Sequence, residues 1–541
     1  MRRRQFLAAS AIPLVACQQI RDVSGGFVGA AHERGHLLRS SKAAQSPSKV
    51  MRTRVLIAGG GVAGLAAARA LRLRSMHDFA LLELEDTAGG NSRAGSVNGV
   101  ACPLGAHYLP VPDASGSAAQ PVHQLLEELG LARREAGRWT YDEKVLCHSP
   151  QERLFIDGNW QEGLLPVQDI DANTLAQYRK FSELVAEASG TAQFSIPINR
   201  SAVAPVILAL DAITFDTWLN QNNLASPPLR WYLDYCCRDD YGAGSSAVSA
   251  WAGIHYFASR HGFSSPGSGP SQARDAGVLT WPQGNGWLSQ RLAEPLGRAL
   301  HTGHVVTRIA HLKHGVEVDA INVASGQTER WLCEHCIVAL PLFVAARVIE
   351  NPPAALLNAS ASARYAPWLV ANIHINAALH DRGGAAPSWD NVLYTGHRSP
   401  AGTGSEQAEG LGYVDAAHQN LSRVRGATVL THYRAFGIDA ARRKHLFEQP
   451  WAYWRDTVLG ELTAAHPDLP GKATRIDIMR YGHAMSVPVP GTRSGAALAA
   501  LQQPQATHPR LRFAHSDLSG YSVFEEAFAH GHRQGSAVAR S

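Results

Sequence analysis

Three glycines, Gly59, Gly61 and Gly64, are spaced as G-x-G-x-x-G. In this pattern the first glycine allows a tight turn and the second lets a pyrophosphate approach the backbone. The third lets a helix pack closely on a strand. Backbone N–H groups at the start of that helix, at Val62 and Ala63, would then face the phosphates, together with the positive end of the helix dipole.

The elements around these glycines have the order that a phosphate-binding turn requires. Four apolar residues, Val55–Ala58, predict a buried strand, and the Ala/Leu-rich stretch after the turn predicts a helix. A second apolar run, Phe79–Leu82, ends at Glu83, where a carboxylate would hold a ribose hydroxyl. The segment therefore predicts a dinucleotide site, and the alternative is a glycine-rich turn without a ligand.

Length and composition indicate a globular protein of several domains. The chain has 541 residues, which is more than one hydrophobic core usually holds and indicates two or three domains. Hydrophobic residues make up 45% and charged residues 18%, and the net charge is +5 without a long basic run. These values give no indication of a nucleic-acid partner. No apolar run reaches the roughly 18 residues that a membrane span needs.

The first 17 residues predict a targeting segment. Arg3 and Arg4 form a twin-arginine pattern, and the stretch that ends at Cys17 resembles a lipoprotein cleavage box. These features predict export of the folded protein by the twin-arginine route to the periplasm, with a lipid anchor at Cys17. Gln18 favours the outer membrane over the inner one. Residues 18–50 predict a flexible tether. The alternative is a cytosolic protein with a basic start.

The six remaining cysteines do not define a pairing pattern. They are Cys102, Cys147, Cys236, Cys237, Cys333 and Cys336. The last two form a C-x-x-C motif that has no second ligand pair at metal spacing. Buried thiols are the favoured interpretation, with a redox pair or zinc as alternatives. The 25 histidines are scattered, so no metal site is predicted.

The segment after the second strand carries the first family resemblance. Gly89 and Gly90 are adjacent and are followed by Asn91, Ser92 and Arg93. This resembles the superfamily of flavin-containing amine oxidases, phytoene desaturases and protoporphyrinogen oxidases, in which a Gly-Gly turn and an arginine approach FAD. The arginine usually follows the glycines directly. The resemblance therefore assigns the phosphate contact to Arg93 or to the backbone alone.

Three further segments are similar to motifs of the same superfamily, in the same order. Residues 281–288 resemble its P-x-G-G-x-x-x-L segment and residues 336–341 its V-I-x-A-x-P strand. Residues 511–521 resemble the closing F-A-G-[DE]-x-x-S-G motif. Four ordered motifs favour FAD over NAD as the cofactor.

These motifs also imply individual contacts to FAD. The backbone of Val306, in a predicted hairpin, would meet the adenine. Asp517 would bind the ribityl or pyrophosphate portion. A helix that begins near Val523 and Phe524 would point its N-terminus at the isoalloxazine, which stabilises the anionic reduced flavin.

The resemblance implies an α/β fold with two parts. A discontinuous Rossmann-type FAD-binding domain would comprise residues 51–110, 275–345 and 472–541. A substrate domain, a mixed sheet flanked by helices, would comprise residues 111–274 and 346–471.

Four residues are catalytic candidates. Asn372 occupies the strand position where many amine oxidases carry a lysine that assists the reaction with oxygen. An acceptor other than O2, such as a quinone or a redox protein, therefore becomes more plausible. Tyr521, Tyr481 and His483 are polar-aromatic candidates for the substrate side of the flavin, and each is equally compatible with a core or surface position.

Two acidic pairs are candidates for recognising a cationic substrate. They are Asp239 with Asp240, and Glu525 with Glu526 beside the flavin helix. The alternative for the aspartates is that they cap a helix or pair with Arg238.

The favoured hypothesis is an exported FAD-dependent oxidoreductase that dehydrogenates a small-molecule amine, with polyamines among the candidates, by hydride transfer to flavin N5. One alternative is a desaturase-like enzyme that acts on a C–C bond of an apolar substrate. A second is a non-catalytic FAD-binding lipoprotein.

Overall fold

The computed structural model describes residues 23–39, 46–112, 121–260, 262–267, 277–396, 409–419 and 426–540. The predicted leader, residues 1–17 with Cys17, lies outside these residues.

The strands of the described part are β1 (Ser24–Phe27), β2 (Lys49–Arg52), β3 (Val55–Ala58), β4 (Phe79–Leu82), β5 (Ala94–Val97), β6 (Val100–Pro103), β7 (Tyr108–Pro110), β8 (Ala132–Glu135), β9 (Arg138–Tyr141), β10 (Glu152–Ile156), β11 (Asn159–Glu162), β12 (Val278–Thr280), β13 (Leu300–His301), β14 (His304–Leu312), β15 (Gly315–Asn322), β16 (Gln327–Cys333), β17 (His335–Val338), β18 (Tyr365–Ile375), β19 (Asp390–Leu393), β20 (Gly410–Asp415), β21 (Thr428–Ala435), β22 (Ala473–Ser486) and β23 (Leu511–Phe513).

The helices of the same part are α1 (His32–His36), α2 (Val62–Arg72), α3 (Pro121–Glu128), α4 (Ala172–Thr191), α5 (Pro205–Asp211), α6 (Phe215–Gln221), α7 (Pro227–Tyr241), α8 (Ala250–Ala258), α9 (Gly286–Ala293), α10 (Leu342–Val348), α11 (Ala354–Ser362), α12 (Ala440–Glu448), α13 (Trp451–Thr463), α14 (Leu469–Lys472), α15 (Ala496–Leu501) and α16 (Phe524–Val538).

A five-stranded parallel sheet forms the first half of the molecule. Its order is β13-β4-β3-β17-β23. The predicted strands Val55–Ala58 and Phe79–Leu82 are β3 and β4, and both are buried along their whole length because helices pack on the sheet. The predicted hairpin is formed by β14 and β15, which pair antiparallel in a separate four-stranded sheet. This arrangement confirms the predicted α/β fold class with a Rossmann-type domain.

An eight-stranded mixed sheet forms the second half. Its order is β1-β22-β18-β21-β20-β19-β10-β11. The central strand β18 is buried along its whole length. Helices α4 to α8 and aromatic side chains pack in one core with one face of this sheet. Strand β22 belongs to this sheet, although the predicted boundary at residue 472 assigns it to the FAD-binding part.

The N-terminal segment departs from the predicted tether. Strand β1 pairs in parallel with Arg475–Ile478 of β22, and Val23 is only 3% exposed. The tether predicted for residues 18–50 is therefore wrong for the described residues 23–39, which cross the molecule in contact with both halves. Close packing requires glycine at position 25, because a Cβ there would lie 1.9 Å from the Ile476 carbonyl oxygen.

The six cysteines of the described part are free thiols, and all but Cys147 are buried. Over the residues described, no three His, Cys, Asp or Glu side chains come together as a metal site. Within the same ranges, no helix has both the length and the apolar character needed to cross a bilayer.

Candidate active site

The glycine-rich turn between β3 and α2 encloses a cradle. A Cβ at Gly59 would lie 2.4 Å from a backbone carbonyl oxygen, and one at Gly64 would lie 1.9 Å from the Gly59 carbonyl oxygen. Backbone atoms fill the space at both positions. A Cβ at Gly61, in contrast, would meet no atom nearer than the Gly90 Cα at 4.0 Å. Gly61 therefore borders open space.

The start of α2 faces this open space. Val62 and Ala63 form the first turn of the helix, and Gly61 at the N-cap has no side chain that could accept from their N–H groups. The first N–H groups of an α-helix have no partner within the helix, and they attract an anion together with the helix dipole. The cradle and the uncapped helix together have the chemistry of a pyrophosphate site.

Glu83 lies at the end of β4 against the same turn. Its carboxylate accepts from the Gly60 N–H at 2.7 Å and from the Glu85 N–H at 2.8 Å. Burial raises the pKa of this carboxyl, while the two backbone hydrogen bonds act in the opposite direction. The side chain is thereby fixed beside the cradle, where the sequence predicts the ribose contact.

The Gly89–Gly90 turn forms the opposite wall of the cradle. The Gly89 N–H donates to the Gly60 carbonyl at 2.8 Å, and Gly89 bridges in parallel to Gly61. The two glycines have φ of 131° and 59°, which favour glycine. Ser92 is buried behind the turn and donates its N–H to the Gly89 carbonyl. This wall is made of backbone.

Protein groups bind the guanidinium of Arg93. Its guanidinium lies 3.5 Å from the Glu85 carboxylate and donates through Nε to the Gly90 carbonyl at 3.1 Å. Asn91 donates to the Ala484 carbonyl at 2.6 Å. Of the two alternatives left by the sequence, contact through Arg93 or through backbone alone, this arrangement favours the backbone.

Helix α16 lies parallel to α2 and reaches further towards the second half. A Cβ at Gly531 would lie 2.0 Å from the Ala63 carbonyl oxygen, and one at Gly535 would lie 2.4 Å from the Ala67 carbonyl oxygen. Phe524 precedes Gly531 by seven residues, so α16 begins about 10 Å beyond the level of Ala63 at about 1.5 Å per residue. A ligand that starts at the cradle can therefore meet the N-terminus of α16.

The loop Pro103–His107 is held between the two halves by three side chains. Asn372 Nδ2 donates to the Pro103 carbonyl at 3.0 Å. The Tyr481 hydroxyl donates to the Leu104 carbonyl at 2.9 Å, and the Tyr433 hydroxyl donates to the Gly105 carbonyl at 2.9 Å. Two predicted catalytic residues, Asn372 and Tyr481, therefore clamp the same loop.

The prediction of Asn372 as a catalytic residue is not supported by its contacts. The side chain is fully buried, and its Oδ1 accepts from the Thr431 hydroxyl at 2.8 Å. Its carbonyl and one N–H are thus bonded to protein groups across the sheet. Asn372 acts as a structural clamp because β6 and β21 supply its partners.

Four aromatic rings pack together beyond this loop. The His107 ring lies 4.5 Å from that of Tyr433, 4.9 Å from that of Tyr108 and 5.3 Å from that of Trp389, measured between centroids. Burial lowers the pKa of His107 to about 3, so its imidazole is neutral. The rings offer apolar faces to a substrate.

Three carboxyl groups lie on neighbouring elements of the same half. The side chains of Glu152, Asp239 and Asp390 are half-buried. Burial raises the pKa of Asp239 to about 7, with a second contribution from a neighbouring aspartate. The pKa of Glu152 also rises to about 7, and that of Asp390 rises further, because each is buried.

The carboxyl groups fall into two sets. Glu152 and Asp390 are register partners on the neighbouring strands β10 and β19, and Asp239 adds to the rise that burial causes in the pKa of Asp390. Glu525, in the first turn of α16 after the N-cap Val523, is 7% exposed and forms a separate site. Asp239, Asp240 and Glu525 all add to the rise that burial causes in the pKa of Tyr108, and Arg260 opposes it.

Among the described residues, the carboxylate of Asp240 forms an ion pair, whereas that of Asp239 does not. The Asp240 carboxylate binds the Arg260 guanidinium at 2.8 Å and accepts from the Tyr521 hydroxyl at 2.6 Å. Arg260 also donates to the Tyr521 hydroxyl at 2.8 Å. Tyr521 is therefore part of a buried ion-pair network, which does not support its prediction as a residue on the substrate side of the flavin. The cation that pairs with Asp240 is Arg260 rather than the predicted Arg238.

The sequence missed most of the residues in this region. His107, Tyr108, Glu152, Trp389 and Asp390 come from three separate stretches and carry no local motif. The one available signal was an acidic residue beside an aromatic residue within an otherwise apolar segment, as at positions 389–390.

Comparison with known proteins agrees with this arrangement. The family model for flavin-containing amine oxidoreductases matches residues 62–539. The chain belongs to this family. It is an FAD-dependent oxidoreductase, as the sequence motifs predict. No curated protein matches the chain significantly.

Several solved structures have the same fold as this chain. A putrescine oxidase with bound putrescine aligns with a TM-score of 0.65 and 16% identity, covering 91% of this chain and 100% of its own. The cyclohexylamine oxidase of Brevibacterium oxydans IH-35A aligns with a TM-score of 0.63 and 18% identity over 90% and 99% of the two chains. A fatty acid isomerase from P. acnes gives 0.59 and 14% over 89% and 97%.

The residues present fit FAD. The open space at Gly61 would take the pyrophosphate against the N–H groups of α2, and Glu83 would face the ribose. The N-terminus of α16, at Phe524, has no side-chain cap and would meet the flavin ring. Val306 lies in β14, is 6% exposed and packs against the first sheet, and its adenine contact remains a prediction.

Asp517 is buried in the FAD-binding half and accepts hydrogen bonds from protein groups. Its Oδ2 accepts from the Tyr365 hydroxyl at 2.6 Å and from the Leu342 N–H at 3.0 Å. Burial alone would raise the pKa of Asp517, but nearby His515 and these hydrogen bonds outweigh burial and lower it. Protein donors occupy the carboxylate, which leaves the backbone of this turn for the cofactor.

His483 lies apart from the cluster of aromatic rings at His107. Its ring packs 4.5 Å from that of Phe343 and 5.7 Å from that of Tyr365, on the side of the molecule near Asp517. The side chain is exposed. Its prediction as a catalytic residue is therefore not supported by its position.

Proposed function

We propose that the protein oxidises a diamine or polyamine, at the amine that lies nearest the flavin. The observation that carries this proposal is the separation of the enclosed carboxyl groups into two sets beside a cluster of aromatic rings. Within the described residues, Glu152, Asp239, Asp390 and Glu525 have no ion pair with a cationic side chain. The putrescine oxidase of the same fold, with putrescine bound, supports the same substrate class.

Electrostatics favour a substrate with two positive charges. An enclosed carboxylate without a partner is costly, which is why burial raises the pKa values of this group. An ammonium group beside Asp239 would remove that cost and return the carboxyl to its ionised form. A second ammonium group near Glu525 would do the same at the other end.

Each protein group then has a defined task. When bound, FAD would supply the acceptor for a hydride, that is two electrons and one proton, from the carbon next to the reacting nitrogen. Asp239, Asp390 and Glu152 bind the distant ammonium group and thereby fix how deeply the substrate enters the site. Glu525, whose pKa burial raises to about 7, takes the proton from the reacting ammonium so that its lone pair is free. The rings of His107, Trp389 and Tyr433 exclude water.

The products follow from this transfer. Loss of a hydride leaves an iminium group, which water hydrolyses to an aldehyde and ammonia or a shorter amine. The two electrons pass on to O2 or to another acceptor, a quinone or a redox protein. The neutral, fully buried Asn372 brings no positive charge to stabilise superoxide, which favours the second class of acceptor.

Binding of a dication is expected to tighten as the pH rises. Asp239 has a pKa of about 7 in the free protein, so a dication at pH 5.5 must bind against a protonated carboxyl. For one such group, binding at pH 5.5 is about 30-fold weaker than at pH 8. An α,ω-bis-guanidine is the suitable probe, because guanidinium groups stay charged throughout.

Titration calorimetry at several pH values checks this expectation. A mono-guanidine of the same length is the control, and its affinity should depend less on pH. An affinity of the bis-guanidine that is constant from pH 5.5 to pH 8 would contradict the assignment of Asp239.

Turnover with a panel of substrates tests the proposed function. With a ferricenium salt as electron acceptor, a diamine should yield an aminoaldehyde, and a long-chain unsaturated fatty acid should remain unchanged. The fatty acid isomerase of the same fold makes C–C chemistry the second candidate. Conversion of the fatty acid without oxidation of any amine would replace the proposal by that candidate.

We also propose export by the twin-arginine route and anchoring through a lipid at Cys17, on the basis of the leader motif. Cell fractionation checks this: the wild type should sediment with membranes and Cys17→Ala should be soluble in the periplasm. If Cys17→Ala still sediments with membranes, the lipid anchor is wrong.

A further inference from the structure

Residues 23–39, here called the clasp, join the mixed sheet to the cofactor-binding half. On one side β1 pairs with β22, and the Val28 N–H donates to the Ile478 carbonyl at 2.9 Å. The Phe27 ring lies 3.5 Å from the Arg480 guanidinium. Gly29 then turns the chain with φ of 85°.

The other side of the clasp binds the connection between Glu83 and the Gly89–Gly90 turn. The Ala31 N–H donates to the Glu85 carboxylate at 3.2 Å. Arg34 donates to the Leu84 carbonyl at 2.9 Å and to both carboxylate oxygens of Asp86, at 2.8 and 3.0 Å. Arg34 is the better buried partner, with 16% of its side chain exposed against 80% for Asp86.

These contacts continue directly to the cradle. Glu85, which accepts from the clasp, also pairs with Arg93, and Arg93 donates to the Gly90 carbonyl. The Glu85 N–H in turn donates to Glu83, the carboxylate beside the glycine-rich turn. The clasp thus reaches each wall of the pyrophosphate cradle through three contacts, by way of Glu85 and Arg93 to Gly90 and by way of Glu85 and Glu83 to Gly60.

We propose that the clasp holds the Glu83–Arg93 connection in its binding conformation and thereby slows the release of FAD, with Arg34 as the positioning residue. Arg34 acts through Leu84 and Asp86 and does not itself contact the cofactor. Because the coupling is reciprocal, bound FAD also stabilises the docked clasp.

Substitution of Arg34 tests this role. Arg34→Ala should release FAD about tenfold faster than the wild type, a value within the range of coupling between linked sites. The rise in fluorescence of released FAD after dilution gives the rate without reference to activity. Arg230→Ala is the matched control, because Arg230 likewise joins a backbone carbonyl, that of Leu224, to an aspartate, Asp216, at 2.6 Å, but in the helical region. Equal release rates for the two variants would overturn the proposal.

Hydrogen exchange on the wild-type chain provides a second test that needs no variant. With FAD bound, the amides of Val28 and Ala31 should exchange more slowly than in the protein stripped of FAD. Amides of α4, which packs with α7 and α8 in the helical region, serve as the internal reference. Equal exchange of the clasp amides with and without FAD would also overturn the proposal.

Discussion

Replacing Asp239 with asparagine should lower kcat/KM for a diamine about a hundredfold, because loss of a buried, charge-assisted contact costs about 2–5 kcal/mol. A monoamine of the same chain length has no second ammonium group at that depth. Its kcat/KM should therefore change little. Steady-state kinetics with the two substrates, measured with the same electron acceptor, checks this difference.

Two controls separate the charge of Asp239 from a general loss of structure. Glu187→Gln removes an exposed carboxyl on α4 and should change neither value. The difference between wild type and Asp239→Asn should also shrink below pH 7, since the pKa of Asp239 is about 7 and its carboxyl is then protonated in the wild type. An equal loss of kcat/KM for both substrates would show that Asp239 does not recognise the second ammonium group of the diamine.

Gly61→Leu should give a folded protein that does not retain FAD. The backbone at position 61 has φ of −68°, which leucine adopts without strain, and the side chain would enter open space rather than protein. That space is the one assigned to the pyrophosphate. The affinity for FAD should fall by about a thousandfold, or about 4 kcal/mol.

Absorbance of the purified protein gives the FAD content, and circular dichroism reports the fold. Gly460→Leu, at an exposed helical position with no atom within 4 Å of the added Cβ, should retain both. Gly64→Ala should instead destabilise the fold, because its Cβ would lie 1.9 Å from the Gly59 carbonyl oxygen. A yellow Gly61→Leu protein with normal FAD content would place the pyrophosphate elsewhere.

The cofactor half could be predicted because its signals are local. A strand, three glycines, a helix and a second strand follow one another within 30 residues, and each choice of residue is set by backbone geometry. Gly59 and Gly64 are glycines because carbonyl oxygens occupy the space of their Cβ atoms. Such steric requirements remain visible in the sequence.

The substrate side could not be predicted in the same way, because it depends on contacts between distant segments. Asn372 appeared suited to face the flavin, but partners from two other strands bind its amide. Tyr521 appeared suited to clamp a substrate, but Arg260 and Asp240 bind its hydroxyl. Neither partner follows from the residue's own neighbours in the sequence.

The N-terminal segment shows the limit of reasoning from composition. Its small residues predicted a tether, yet Gly25 and Gly29 are small because Ile476 and Met479 of β22 lie against them. A segment rich in glycine can be either a free tether or a closely packed strand. Only the presence of a partner strand shows which of these it is.

The most direct test of the proposed function is anaerobic rapid mixing of the yellow holoprotein with a diamine and with a monoamine of equal length, following the flavin band near ~450 nm. The diamine should bleach the band, and much faster than the monoamine, because two sets of enclosed carboxyl groups hold its two charges. A band that no amine bleaches, with FAD bound, would contradict amine oxidation. Equal bleaching by both would contradict the role of the buried carboxyl groups.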